Sequence, residues 1–432
     1  MSRIVQPSTR DSVRASSSVN NQRTPRISVT SLRRSLSPPF RRLLIAAEAT
    51  ATERGVALWA VGGAHRDLTF AEPVNDLDLA IDGDVGRFLR ALSVRLPDAV
   101  AGPISAFGTG SLTLPSLDGP ARLDLARLRT ENYPNPGALP EVRWTRSIER
   151  DLARRDFSVN AIALGLSGEH RGRIVDPFDG IADATAHRLR VLHPRSFEDD
   201  ATRLWRAART AAARRLRPDA ETARLIAEAA PWAATISGDR WSGELELTAL
   251  RGHAAGTLRL LDQWGVLRAI HSAWMLDART GRALTRHPEP MPVARFAALL
   301  LAPISERDAV LTRLDASGDV RAAVRDAARI LAVPEPSSAA DLASIERTGE
   351  GARLAARWLA PHGTATWRAL ERWSRTKPAL TAQEVIDLGV PQGAALGQLL
   401  RELRRRRFER NLTSRAAERE AVRQFVEREG SR

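Results

Sequence analysis

Asp76 and Asp78 stand two apart in the run VNDLDLAID. In an extended chain successive side chains point to opposite faces. Asp76, Asp78 and Asp82 therefore share one face, and Leu77, Leu79 and Ile81 share the other. The apolar face can bury. The acidic face then holds two carboxylates close enough to grip one or two divalent cations. Hard cations such as Mg2+ take oxygen ligands, often a pair of carboxylates together with substrate phosphates. Upstream, VGGAHRD supplies Gly62 and Gly63, whose lack of a Cβ lets the backbone approach a phosphate. Arg66 follows with a fixed positive fork for phosphate oxygens. Taken alone, two aspartates at this spacing favour an ordinary hairpin strand with exposed acids; the Gly pair, the Arg-Asp and the strand together reverse that preference.

Two later blocks carry charge in patterns that suit a nucleotide. In RRDFSVNAIAL, Arg154 and Arg155 precede Asp156, and Asn160 lies four residues beyond it. A guanidinium here can clamp a triphosphate, while Asp156 and Ser158 can equally serve as helix caps. In DDATRLWRAAR, Asp200, Arg203, Arg206 and Arg209 recur every three residues, an inclined stripe on a helix. Leu204, Trp205, Ala208 and Ala212 form the opposing apolar face. An aspartate beside an arginine can read the edge of a base: the carboxylate accepts from an exocyclic amine and the guanidinium donates to a ring acceptor. C and A present an amine beside a ring nitrogen acceptor, whereas U and G do not. The other arginines of the stripe are then free for phosphates. The plainer account is a set of intrahelical Asp–Arg pairs worth about 0.2–0.5 kcal/mol each.

These residues need elements to hold them. RRLLIAAEATATER at 41–54 has a helical pattern. Strands are expected at 56–61, 77–82, 99–101, 110–114 and 121–125, with a helix over 84–96. Asp124 alternates with Leu123 and Leu125 and can supply a third carboxylate from a neighbouring strand, or be an exposed edge acid. From about 150 onward the pattern is helical, broken by Pro and Gly. The stretch 131–147, with Pro134, Pro136, Gly137 and Pro140, reads as a loop. Residues 1–40 are rich in Ser, Arg and Pro and show no period, so they are expected to be disordered. A basic RNA-holding tail, a mis-assigned start or a transit peptide would each produce such a composition.

Composition narrows the partners. The chain of 432 residues carries a net charge of +14 and an isoelectric point of about 11.3. Lys377 is its only lysine among 65 basic residues. Arginine suits phosphate and base contacts, although a GC-rich genome produces the same bias. There is no cysteine, which excludes disulfides and thiolate metal sites and fits a reducing, cytoplasmic setting. No apolar run is long enough to span a membrane.

VGGAHRD followed by NDLDLAID resembles the head motif of the class II tRNA nucleotidyltransferases. That group holds the CCA-adding enzymes, their CC-adding and A-adding relatives, and bacterial poly(A) polymerases. ERDLARRDFSVNAIAL at 149–164 resembles the family's next motif. IVDPFDGIADATAHRLRVLHPRSFEDDATRLWRAAR at 174–209 resembles the segment entering the nucleotide-binding neck, and 387–427 resembles the family tail. The order and spacing match over about 41–215. The resemblance implies an α+β chain: a mixed-sheet, polymerase beta-like head at 41–165, then a helical neck at 166–235 and a helical, RNA-binding body and tail at 236–432. It implies Mg2+ on Asp76 and Asp78. It implies nucleotide contacts from Gly62, Gly63, Arg66 and Arg155, and a protein template for C and A on the helix bearing Asp200, Arg203, Arg206 and Arg209. The expected activity is untemplated addition of CCA to the tRNA acceptor arm from CTP and ATP. CC-only or A-only addition, poly(A) synthesis and a non-catalytic RNA-binding shell are the alternatives. Two departures stand out. Asp199 occupies the usual Glu position before Asp200, and His65 replaces a usual Val. The arginine-rich signature of bacterial poly(A) polymerases is missing around 105–130, and no His-Asp dipeptide exists for an appended phosphohydrolase domain.

Overall fold

The computed structural model describes residues 27–70, 74, 77–117, 119–333, 338–360 and 364–430. It divides into two units, one of residues 1–128 and 162–176, the other of 129–161 and 177–432.

The first unit is built on a seven-stranded sheet. Its chain carries β1 (Leu58–Val61), β2 (Leu77–Ile81), β3 (Val100–Ala101), β4 (Thr109–Leu114) and β5 (Ala121–Arg127). After the excursion through β6 (Arg129–Asn132) and β7 (Glu141–Trp144), which pair only with each other, it returns as β8 (Ala163–Gly165) and β9 (Ile174–Val175). The spatial order is β3-β4-β5-β2-β1-β8-β9. All neighbours run antiparallel except β2 and β5, which are parallel. The expected alternation holds in β2: Leu77, Leu79 and Ile81 are buried, each such side chain contributing about 1.5–3 kcal/mol. The helix Val85–Arg95 starts where the Asp84 carboxylate accepts from the Arg87 N–H at 2.7 Å, a standard N-cap. It buries Val85, Phe88, Leu89 and Leu92, the spacing of a single helical face. The head sheet extends beyond residue 165, because β8 takes β9 as its edge partner.

Residues 27–40 correct the expectation of disorder over 1–40. Val29–Ser35 is a helix whose N-terminus carries a reciprocal capping box between Ser28 and Ser31. Leu32 and Leu36, four apart, are fully buried. Four-residue spacing of two leucines is too little signal to stand out against the surrounding Ser and Arg. Residues 1–26 lie outside the described residues.

The second unit is helical apart from the β6–β7 hairpin and the short parallel pair β10 (Arg188–Leu189) and β11 (Arg217–Pro218). The segments expected as neck and body share one aromatic core. Trp205 lies 5.9 Å from both Trp241 and Trp274, and its indole N–H donates to the Thr248 hydroxyl at 2.8 Å. A buried Trp needs such a partner for its N–H. Further along, Arg404 grips both oxygens of Glu346 at 2.8 and 2.9 Å, donates to the carbonyls of Thr376 and Trp373, and lies 4.2 Å over the Trp373 ring. The last helix, Arg415–Gly430, is anchored by the fully buried Glu418. Its carboxylate accepts from the Ala379 and Leu380 N–H groups and from Arg407.

Candidate active site

In the first unit, the chain leaves β1 through Gly62, whose φ of +75° and ψ of −137° suit only glycine. Gly63 opens the short helix Gly63–Thr69. A Cβ on Gly63 would stand 2.9 Å from Arg66 Nη2, so the missing side chain is the room into which Arg66 folds back. Arg66 Nε donates to Asp67 at 3.1 Å. His65 is fully buried, and its Nε2 lies 2.7 Å from the Ala60 carbonyl. A carbonyl only accepts, so Nε2 carries the proton. The departure from Val is thus absorbed as a tie between helix and strand.

Asp76 lies outside the described residues. Asp78 sits mid-strand in β2, partly exposed, directly in register with Asp124 of β5. Register partners on adjacent parallel strands project from the same face, about 4.8 Å apart. The candidate third carboxylate is therefore beside Asp78. At present Asp124 is half-exposed and accepts from Arg122 Nε at 2.9 Å and Nη2 at 2.8 Å. Two hard oxygen donors on one face, one of them held only by an exposed arginine, fit a divalent cation.

The second unit gathers the later motifs into one network. Arg154 bridges Glu131 at 2.9 Å and Asp151 at 2.9 Å, and Arg155 Nη2 donates to the other Asp151 oxygen at 3.1 Å. Asp151 also accepts from the Arg129 N–H. Burial pushes the Asp151 carboxyl up, but Arg155, Arg154 and that N–H more than offset it and hold it below the usual range. The buried Nε of Arg155 has no hydrogen-bond partner among the described residues. Asp156 is buried and accepts from the Phe157 N–H, the Asn160 amide and both Nε and Nη2 of Arg206, the last at 2.7 Å. Burial raises this carboxyl; Arg206, Asn160 and Arg203 overcome that and hold it well below the ordinary value. Ser158 is no cap: its hydroxyl donates to Asp183 at 2.6 Å.

The helix Thr202–Arg214 carries Arg203, Arg206 and Arg209, with Leu204, Trp205 and Ala208 buried as expected, but Asp200 stands two residues before it in extended backbone rather than on the stripe. Its charged residues are more committed than the sequence suggested. Arg203 is 4% exposed and donates to the Ser196 carbonyl and hydroxyl and to the Arg154 carbonyl, with its guanidinium carbon 5.8 Å from the centre of the Tyr133 ring. Arg206 pairs with Asp156 while 45% of its side chain stays exposed, and Arg209 pairs with the buried Glu244. Asp200 does not bond Arg203. Its Oδ1 accepts from the Thr202 N–H at 3.0 Å, the Thr202 hydroxyl at 2.7 Å and Arg240 Nη2 at 2.7 Å. Asp199 lies 3.4 Å from Arg195 and 3.9 Å from His193, and burial raises its carboxyl despite both.

Sequence reasoning missed Glu131, Tyr133, Asp151, Arg240 and Glu244. Tyr133 donates to Glu131 at 2.9 Å, and burial followed by the Glu131 charge pushes its phenol upward. Arg240 and Glu244, four apart in one helix, had a legible spacing. Glu131 and Tyr133 sit in the stretch read as a loop, and Asp151 lies in the helix Ile148–Ala153, just ahead of the arginines that drew the reading.

Residues 58–190 match the family model described as the Poly A polymerase head domain. The chain is 34% identical over 372 residues to a CC-adding tRNA nucleotidyltransferase of Deinococcus radiodurans, covering 85% of this chain and 88% of that one. It is 35% identical to an A-adding tRNA nucleotidyltransferase of Halalkalibacterium halodurans over 49% of this chain and 50% of that one. Among solved structures, an apo form of a CCA-adding enzyme superposes with a TM-score of 0.73 at 23% identity, covering 91% of this chain and 97% of the other.

Proposed function

Because this chain belongs to the class II tRNA nucleotidyltransferases, we propose that it builds the CCA end of tRNA from CTP and ATP, one nucleotide at a time and without a nucleic-acid template. The observation that carries the reading is the side-by-side placement of Asp78 and Asp124 on β2 and β5. Nucleotidyl transfer needs in-line positioning and charge neutralisation more than covalent help. Asp76, Asp78 and Asp124 would hold Mg2+. When bound, the metal lowers the pKa of the attacking 3′-hydroxyl and neutralises the leaving pyrophosphate.

The remaining roles follow from local chemistry. Gly62, Gly63 and Arg66 would line the phosphates, and the Arg155 guanidinium would donate to the triphosphate. Asp200 would accept from the amine of C or A through Oδ2. Donation by Arg203 to the ring nitrogen requires its guanidinium to leave the Ser196 and Arg154 carbonyls. Arg206, still 45% exposed beside Asp156, would offer its open side to a phosphate, whereas Arg209 would act mainly by holding the helix. A net charge of +14 suits an acceptor arm gripped by its backbone, with affinity that falls steeply as salt rises. Among the described residues no helix is long and apolar enough to cross a membrane, and we place the reaction in the cytoplasm.

Addition of CC alone is the second reading. It is favoured by the Deinococcus radiodurans relative, which matches over most of both chains. The two separate in one assay. Purified protein and Mg2+ receive tRNA ending at the discriminator base, at -C or at -CC, with each labelled nucleoside triphosphate in turn. Addition of CC and then one A supports the full activity. CC without A assigns the partial one, A only onto -CC makes it an A-adding enzyme, and a long A ladder overturns all three.

A further inference from the structure

We propose that Arg240 is a positioning residue that sets the orientation of the Asp200 carboxylate and couples it to the seating of the loop between β6 and β7. The proposal rests on the reading of Asp200 as a base-reading group.

Arg240 is the third residue of the helix Gly238–Arg251. Its two terminal nitrogens go to different places. Nη2 donates to Asp200 Oδ1 at 2.7 Å, and Nη1 donates to the carbonyl of Gly137 at 3.2 Å. Gly137 belongs to the Pro- and Gly-rich stretch joining β6 to β7. Its φ of +75° lies in the region that favours glycine. A Cβ there would stand 2.3 Å from the Thr235 hydroxyl oxygen and 2.9 Å from the Thr235 carbonyl. The loop backbone is thus pressed against the turn that leads into Arg240's own helix, at a distance only glycine allows. A planar guanidinium can serve two acceptors at fixed angles, whereas an ammonium is a single point.

The consequence lies in how Asp200 is held. All three of its hydrogen bonds, two from Thr202 and one from Arg240, fall on Oδ1. Oδ2 accepts none among the described residues, and the side chain keeps 16% exposure. Three donors on one oxygen fix the plane of the carboxylate and leave the other oxygen for an incoming amine. Thr202 opens the helix that begins two residues after the group it holds; Arg240 is the donor that also senses the loop. When the loop lifts, Arg240 loses one partner and the carboxylate loses its fixed plane. Base reading and loop seating then become one event.

The test compares Arg240→Ala, Arg240→Lys, Gly137→Ala and Asp200→Asn in the full chain, with thermal unfolding as the control for folding. The readout is kcat/KM for CTP and for ATP against UTP and GTP on tRNA ending at the discriminator base and at -CC. Asp200→Asn should reduce discrimination about tenfold, the weight of one hydrogen bond to a charged group. Arg240→Ala should do the same, mainly through KM. Arg240→Lys, which keeps charge but serves one acceptor, should fall between. Gly137→Ala should mimic Arg240→Ala, and the double variant should be no worse than the poorer single one, as a shared contact requires. If Asp200→Asn loses discrimination and both Arg240 variants keep it, Arg240 is a structural tie and the proposal falls. If Gly137→Ala and Arg240→Ala add independently, the coupling to the loop falls. Unchanged discrimination in Asp200→Asn would remove the base-reading premise itself, whatever the Arg240 variants do.

Discussion

The acidic face of β2 and β5 and the arginine stripe of Thr202–Arg214 look alike in sequence, since each is a charge repeated at the period of its element. The structure sets them apart. On the sheet, Asp124 is half-exposed and among the described residues is held only by Arg122, itself exposed. On the helix, Arg203 is buried against carbonyls, while Arg206 and Arg209 each face a buried acid. A carboxylate held by an exposed side chain is available for a ligand. A guanidinium whose donors meet buried acceptors is already part of the fold, and its removal strands those acceptors. Regular charge spacing therefore locates candidates, and the partners decide between chemistry and architecture.

The sharpest break of this contrast is Asp78→Ala. It should cut nucleotide addition by at least about a thousandfold, or about 4 kcal/mol of transition-state stabilisation. tRNA affinity in filter binding should barely change. Loss of tRNA binding alongside the loss of addition would put Asp78 among the structural charges. Trp205→Ala tests the opposite pole: it removes the centre of the aromatic core behind the stripe and should destabilise the second unit by about 3–5 kcal/mol, seen as a lower urea midpoint.

Asp156 gives the next effect, through pH. Its folded carboxyl lies below its unfolded value. Its contribution is therefore complete above about pH 4 and is lost as pH falls through the folded pKa. Urea unfolding between pH 5 and pH 3 should show stability declining with acid in the native protein and a flatter profile in Asp156→Asn. Equal slopes would mean that the Asp156–Arg206 pair adds no linkage. The smallest expected effect is that of Arg122→Ala. An exposed pair contributes little, so stability should change by less than about 0.5 kcal/mol. The Mg2+ concentration giving half-maximal addition should fall, since Asp124 is no longer shared. An unchanged Mg2+ titration would remove Asp124 from the metal set.

The head was legible because its signals are local. The alternation in β2, the cap at Asp84 and the face of Val85–Arg95 are all written within a few residues. The β6–β7 hairpin was not, because Pro134, Pro136, Gly137 and Pro140 mask two short strands that pair only with each other. The arginine partners were hidden for a different reason. Asp156 precedes Arg206 by 50 residues and Glu244 follows Arg209 by 35, and no periodicity spans such distances. Of the two aspartates proposed to hold Mg2+, Asp78 stands in its expected strand, while Asp76 lies outside the described residues.

Arg404 shows what near-exclusive use of arginine entails. One guanidinium there meets two carboxylate oxygens, two carbonyls and an aromatic face at once. A lysine could reach one of those oxygens and would abandon the rest. Junctions of this kind decide where a lysine could not take an arginine's place. Each fork is a constraint on substitution, because its set of partners is one that only an arginine can keep.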